Sequence, residues 1–483
     1  MNTHGLLQKT SDQRSVIDLV PGRRDFWWDY VEKSKAPSVN VGSLVTIPAA
    51  LDAPLFYQAY QHALRAHDAL GMVLERDQAG HKLVQVPREA VPIMQWVDCG
   101  ETADPYAAAF RDACRLADAP LSLFSGPLYR ARIYTLGPDT TAWAFVCHHM
   151  VCDGWSMAMF VNDVLATYRG LLDCKVVLPE RPSFVDWARK GEFRVPKPAD
   201  AYWRERLPAE VNPLFDTPVQ GQPGGRGLFE STWSPERQDR LQGFVETDQS
   251  QAVRVVQAVL GAALTHLTGK RDWLMGVPSS NRRNRKQKNM SGQFASCGVF
   301  PWGYAETNSL KSLLAAMRRD QMGDYRAGVC PTSDIAEKLG EAGASGPLFD
   351  VSFNALQLGD FDFHFDGKKA KVAYVPFQNF AHALEVVFTE TAQGGDRAFV
   401  YNYDPRVLSE EAVRLIDCVV NTLLDRAPRE PDRPLDQLAA DLPILAPLCE
   451  QRVAPVASPS VHADPCQTRK QTAGGQIQAR HAG

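Results

Sequence analysis

A mixed α/β protein of two lobes followed by a tail without regular structure is predicted by three observations. Helical and extended patterns alternate in both halves of the 483-residue chain. A stretch rich in Pro and Gly separates the halves, and apolar periodicity stops near Leu448. The length, with 45% hydrophobic and 22% charged residues, suits a folded protein of two large lobes. The expected division is an N-terminal lobe at 1–190, a crossing linker at 191–230, a C-terminal lobe at 231–447, and a disordered tail or linker at 448–483.

Taken in order, Phe56, Ala59, Tyr60 and Ala63 recur at helical spacing and predict a helix within 54–70. Residues 81–86 alternate and are stopped by Pro87, which reads as a strand. Two further strands, 127–134 and 141–147, flank the turn Gly137-Pro-Asp139. After His148–Gly154, the residues Met157, Phe160, Val161, Val164, Leu165 and Tyr168 lay out the apolar stripe of an amphipathic helix. Gly170 stands at its expected C-cap. Within the linker, 218–227 (PVQGQPGGRG) has the most flexible composition. The second half returns to helices at 251–268, 310–325 and 410–426 and a strand at 398–403. Beyond Leu448 the chain is Pro, Ala, Ser, Gln and Thr with no apolar face to bury, hence the expected disorder.

Charge and cysteine usage exclude several classes. With 52 Lys and Arg against 56 Asp and Glu, the net charge is −4, so no basic surface for nucleic acid is expected. No apolar run approaches the roughly 18 residues that span a bilayer, and the N-terminus has no signal-peptide core. The ten cysteines form no CxxC pair, which points to reduced thiols rather than a disulfide framework. A cytoplasmic monomer with no membrane or nucleic-acid partner is the expectation.

Chemistry concentrates in Cys147-His-His-Met-Val-Cys-Asp-Gly-Trp-Ser156, between a strand and a helix. Successive side chains on a strand face opposite ways, so on extended backbone only one of His148 and His149 lines a given cavity. A neutral imidazole suits removal of a proton from an amine, hydroxyl or thiol near neutral pH. Asp153 has two possible uses: orienting the histidine as in a triad, or pinning the loop to an arginine and a helix start. Gly154 lets a ligand approach closely, and the helix start near Trp155 offers amides for an oxyanion. The same residues also fit a strand-to-helix turn without chemistry. A metal site at Cys147, His148, His149, Cys152 and Asp153 is a third reading, but no standard ligand spacing is met and none is expected.

This segment resembles the HHxxxDG core motif of nonribosomal peptide synthetase condensation domains, relatives of chloramphenicol acetyltransferase. Further segments in the right order extend the likeness over about 15–445. In the first half these are Ala66-His-Asp-Ala-Leu70, Gly126-Pro-Leu-Tyr-Arg130, Phe184-Val-Asp-Trp187 and Tyr202-Trp-Arg-Glu-Arg-Leu207. In the second they are Gly276-Val-Pro-Ser-Ser-Asn-Arg282, Gly292-Gln-Phe294, Pro347–Asn354 and Tyr401-Asn-Tyr-Asp404. The resemblance implies two chloramphenicol acetyltransferase-like lobes in a V-shaped pseudo-dimer, with the active site in a tunnel between them. It implies His149 as the catalytic or orienting base and His148 as structural. Asp153 would bridge to Arg282 across the lobes, with Gly154 beside the donor thioester. Trp155, Ser156 and Ser296 are the oxyanion or tunnel candidates.

The chain departs from the family pattern where Ser296 replaces an asparagine, and it carries a dense basic run, Arg282–Lys288. The run is either a solvated loop or, through Arg283, Arg285, Lys286 and Lys288, a contact for an acidic carrier protein. Met157 stands where epimerisation domains carry Trp, the two histidines exclude a heterocyclisation pattern, and Val299-Phe-Pro-Trp-Gly303 does not make the DFGWG motif of plant acyltransferases. The expectation is therefore a free-standing condensation enzyme, or an excised domain. It would join an acyl or aminoacyl thioester, presented on the 4'-phosphopantetheine of an acyl or peptidyl carrier protein in trans, to an amine or hydroxyl acceptor. No bound cofactor or metal is expected. A non-catalytic platform for carrier proteins and a coenzyme A-dependent acyltransferase are the alternatives.

Overall fold

The computed structural model describes residues 16–18, 40–77, 80–85, 94–124, 126–175, 180–190, 200–208, 213–215, 226–249, 251–305, 308–327, 349–357, 363–365, 367–375, 382–390 and 397–445. The expected tail at 448–483 and most of 191–225 lie outside them.

Two sheets organise the first 445 residues. The first has five strands in the order Lys371–Val375, Asn40–Ile47, Thr140–His148, Tyr129–Gly137, Gln95–Asp98. Its central strand is buried on both faces, and its alternation decides what packs where. Ala142, Ala144 and Val146 are small and let helix Pro105–Asp118 close on one face through Ala109, Ala113 and Ala117. Trp143, Phe145 and Cys147 point the other way. There they meet Phe56 and Tyr60 of helix Ala53–Ala66 and Phe160 of helix Gly154–Leu172. Phe145 and Phe160 have ring centroids 4.4 Å apart. The helix carrying Phe160 runs past Gly170 to Leu172 and is capped at Asp173, correcting the expected stop. Half-buried Leu171 packs against the same core, so the last turn has an apolar reason to continue.

The second sheet has six strands in the order Ser296–Trp302, Trp273–Ser279, Val351–Gln357, Leu384–Glu390, Arg397–Tyr403, Gly227–Thr232. Leu384, Val386, Phe388, Phe399 and Tyr401 are buried. Asp417 of helix Glu410–Arg426 accepts hydrogen bonds from Tyr401 Oη at 2.9 Å and Ser231 Oγ at 3.0 Å, which ties that helix to the sheet. Trp203 and Leu207 pack with Leu274, Val299 and Phe349, so the chain from residue 200 onward already belongs with this sheet.

The two sheets do not divide the chain into contiguous halves. Lys371–Val375 leaves the region of the second sheet and pairs antiparallel with Asn40–Ile47, Lys371 opposite Thr46 and Val375 opposite Gly42. Gly227–Thr232, drawn across the linker boundary by composition, is an edge strand of the second sheet. Among the described residues no helix is long and apolar enough to cross a membrane.

Candidate active site

The central strand of the first sheet ends at His148, and His149 sits in the turn that follows, closed by Val151 N–H donating to His148 O at 3.1 Å. The strand-parity condition thus applies to His148 alone. His148 is buried, and its Nδ1 accepts from Met150 N–H at 3.1 Å. Burial and the neighbouring imidazole push its pKa down to about 3, so it stays neutral and serves the turn.

His149 is half-buried, and its Nδ1 is 2.9 Å from Gln293 Oε1. The Gln293 amide is itself oriented, because its Nε2 donates to Ala295 O at 2.7 Å. Its oxygen therefore faces the imidazole, Nδ1–H donates, and Nε2 carries the lone pair. Burial pulls the His149 pKa below 6.5, offset in part by the Asp153 charge and the Gln293 bond. A base so tuned is unprotonated at neutral pH.

Asp153 is not the histidine's orienting acid. It caps the helix Gly154–Leu172 by accepting from Ser156 N–H at 2.8 Å, and Arg282 Nη2 donates to Oδ1 at 2.8 Å and Oδ2 at 3.0 Å. Phe294 and Ala295 amides fill its remaining lone pairs at 3.0 and 3.2 Å. Burial alone would raise this carboxyl, but Arg282 and the two amides of Ser156 and Phe294 hold it below 3.8. Arg282 also donates to the carbonyls of Gln287 and Met290, and its guanidinium lies 4.1 Å from the Phe294 ring centroid. One buried cation thus fastens the loop 282–294 to the helix start of the other sheet's lobe.

The remaining candidates separate. Ser156 does not face a tunnel: it is fully buried, its hydroxyl donates to Gly292 O at 2.8 Å and accepts from Arg282, so that assignment is corrected. Ser296 Oγ accepts from Asn281 Nδ2 at 2.7 Å, which gives the replaced asparagine position a partner from the preceding strand end. A Cβ at Gly154 would make an ordinary van der Waals contact with Leu356 Cδ2, at 3.7 Å. Gly292 is the opposite case, since a Cβ would fall 2.3 Å from the Phe184 ring. Trp155 is half-buried and its Nε1–H donates to Lys288 O at 2.8 Å, joining the helix start to the short helix Arg285–Lys288. Arg283, Arg285, Lys286 and Lys288 are all exposed there. Cys147 and Cys152 are buried in the core of the first lobe. Among the described residues no group of three His, Cys, Asp or Glu side chains could hold a metal ion.

Gln293 is the residue that sequence reading missed as a positioning group. Replacing it with Ala is expected to lower kcat by roughly 10- to 100-fold while KM changes little, the scale of losing a ligand that orients a catalytic imidazole. Gln293→Glu separates positioning from packing. A carboxylate there favours the imidazolium, so the acid limb of the pH–rate profile moves up from below pH 6.5, which a merely structural role would not produce.

The family model "Condensation domain" matches residues 31–441. A linear gramicidin synthase polypeptide of Brevibacillus parabrevis is 25% identical over 440 residues, 83% of this chain and 6% of that protein. Phosphinothricin tripeptide synthetase PhsB of Streptomyces viridochromogenes is 27% identical over 73% of this chain and 30% of its own length. The chain therefore spans less than a third of these relatives. The first condensation domain of the CDA synthetase superposes with a TM-score of 0.77 at 19% identity, covering 90% of this chain and all of that one. The starter condensation domain of rhizomide synthetase RzmA, solved with C8-CoA, gives 0.74 at 18% identity, over 87% of this chain and 96% of its own.

Proposed function

The chain belongs to the condensation-domain family, and from that footing we propose that it forms an amide by transferring an acyl group from a carrier-protein thioester to an amine. The observation that carries the reading is the fixed tautomer of His149: Gln293 takes Nδ1–H, so Nε2 is the basic nitrogen. The acceptor amine reaches the thioester carbonyl in near-attack geometry, about 3 Å away, which supplies much of the acceleration. His149 Nε2 takes or steers the amine proton, and the C–N bond forms as the tetrahedral oxyanion develops. First-turn amides of Gly154 and Trp155, for which the helix ladder supplies no acceptor, are suited to hold it. Collapse expels the phosphopantetheine thiolate. A hydroxyl acceptor would give an ester by the same steps, with the acyl donor and acceptor supplied in trans.

The donor carrier is proposed to dock at Arg283, Arg285, Lys286 and Lys288. Charge and exposure support this, together with the Trp155–Lys288 bond that sets the basic helix against the helix start beside His149. Reversing all four to Glu is expected to raise KM for an acyl-carrier protein by about tenfold or more relative to an acyl-pantetheine thioester. The effect should shrink as salt rises.

The direct test supplies an amine with the same acyl group on a carrier protein, on pantetheine or on coenzyme A. Amide detected by mass spectrometry and formed fastest from the carrier supports the reading. Preference for coenzyme A would make it a small-molecule acyltransferase, and carrier binding without product would make it a platform.

A further inference from the structure

One face of the six-stranded sheet turns toward the reaction centre, and its far end carries a polar cluster that the chemistry above does not use. Leu356 marks that face at the catalytic end, since its Cδ2 is what a side chain at Gly154 would touch. Alternation puts Asn354 and Ser352 on the same face, and register puts Glu385 beside Ser352 and Asn402 beside Glu385. Glu385 is half-buried, as are Asn354, Arg226 and Tyr374, the last on the strand that crosses to the other sheet.

The cluster is built around a carboxyl that takes hydrogen bonds but is not closed off. Asn402 Nδ2 donates to Glu385 Oε2 at 2.8 Å, and Asn354 donates to the same carboxyl. Asn402 is 1% exposed, yet its Oδ1 has no hydrogen-bond donor among the described residues. A buried acceptor in that state is costly unless a ligand serves it. Burial raises the Tyr374 hydroxyl well above its ordinary range, with Glu385 adding to the shift, so it remains a hydrogen-bond donor. Arg226 stands within electrostatic reach of both Glu385 and Tyr374.

We propose that Glu385, Asn402, Tyr374 and Arg226 form a subsite for a neutral amide group at the distal end of the acceptor. Groups of opposite formal sign stand within electrostatic reach of each other there, Arg226 and Glu385, and burial raises the Glu385 carboxyl above its ordinary value. A distal ammonium would be opposed by Arg226 and a distal carboxylate by Glu385, whereas an amide offers N–H to Asn402 Oδ1 and Glu385 and C=O to Tyr374 and Arg226. The assignment to the acceptor rests on the reading in the previous subsection. The basic helix lies in the connection between the strands Trp273–Ser279 and Ser296–Trp302 at one edge of the sheet. Glu385 and Asn402 lie across the sheet from that edge, and along it by the four residues from Leu356 to Ser352, about 13 Å. The cluster is thus set apart from the basic helix, which is why it is assigned to the acceptor and not to the donor.

The test uses the full chain, a fixed acyl-carrier donor and four amines of matched length: 6-aminohexanamide, heptylamine, 6-aminohexanoate and 1,6-diaminohexane. The wild type is expected to favour 6-aminohexanamide over the other three by at least tenfold in kcat/KM. Glu385→Leu should bring the amide-to-heptylamine ratio to within about threefold, and Tyr374→Phe, which keeps the ring packing, should lower it severalfold. Equal turnover of the four amines, or a ratio unmoved by either substitution, overturns the subsite while leaving amide formation standing. If no amine is acylated, the preceding reading fails, and calorimetric binding of 6-aminohexanamide decides the subsite alone. Binding at least tenfold weaker in Glu385→Leu supports it, and equal binding to both proteins overturns it.

Discussion

His149→Ala is expected to lower the rate of amide formation by about 10²–10⁴-fold, with the melting temperature close to that of the wild type. The side chain is half-buried in a turn beyond the strand end, and its described bond is to Gln293. Truncation therefore removes the basic nitrogen and leaves the core of Trp143, Phe145 and Phe160 intact. The pH dependence follows from the same surroundings. Because burial lowers the His149 pKa, the base form persists below pH 6.5. After correction for the acceptor amine's own ionisation, the wild-type rate should stay level down to about that pH and fall only below it. Unchanged turnover in His149→Ala would remove the proposed chemistry altogether. His148→Ala makes the internal contrast: it is expected to lower stability, because it deletes the acceptor of the Met150 amide.

The second large effect is structural. Arg282→Ala is expected to cost about 3–5 kcal/mol, since it strands the Asp153 carboxylate in a site where both side chains are 1–2% exposed. The double substitution with Asp153→Ala should cost clearly less than the sum of the singles, because removing both partners leaves no uncompensated charge. The acid dependence has a definite sign. Asp153 has a folded pKa below its ordinary value, so the stability it contributes is present above about pH 4 and is lost as pH falls through the folded value. In Arg282→Ala that acid-labile part should largely disappear. If the variant melts like the wild type, the bridge is not what fastens the loop 282–294 to the helix start.

Why some of this was legible in the sequence and some was not has a physical basis. The strand–turn–helix around His149 lies within one continuous segment, and its parts have local signatures: alternation, an Asp cap and an amphipathic stripe. The Arg282 partner lies 129 residues away and came only through resemblance. Gln293 had no signal of its own, because an amide in a loop has no periodicity, and its value comes from a bond formed across 144 residues. Ser156 became a tunnel candidate only through the resemblance, but the first turn of a helix points successive residues in different directions, and this one meets Gly292. The excursion of Lys371–Val375 into the other sheet was equally invisible, since an edge strand reads the same whichever sheet receives it.

The most direct measurement is rapid-quench discharge of an acyl-carrier protein, followed by intact mass with and without an amine. With His149 acting as a base for direct attack, the acyl group is predicted to stay on the carrier until amine is added and then to appear wholly as amide. No acyl mass should appear on the 483-residue chain at any time. An acylated form of this protein that accumulates without amine, or a carrier that remains loaded after amine is added, would contradict direct transfer at this imidazole.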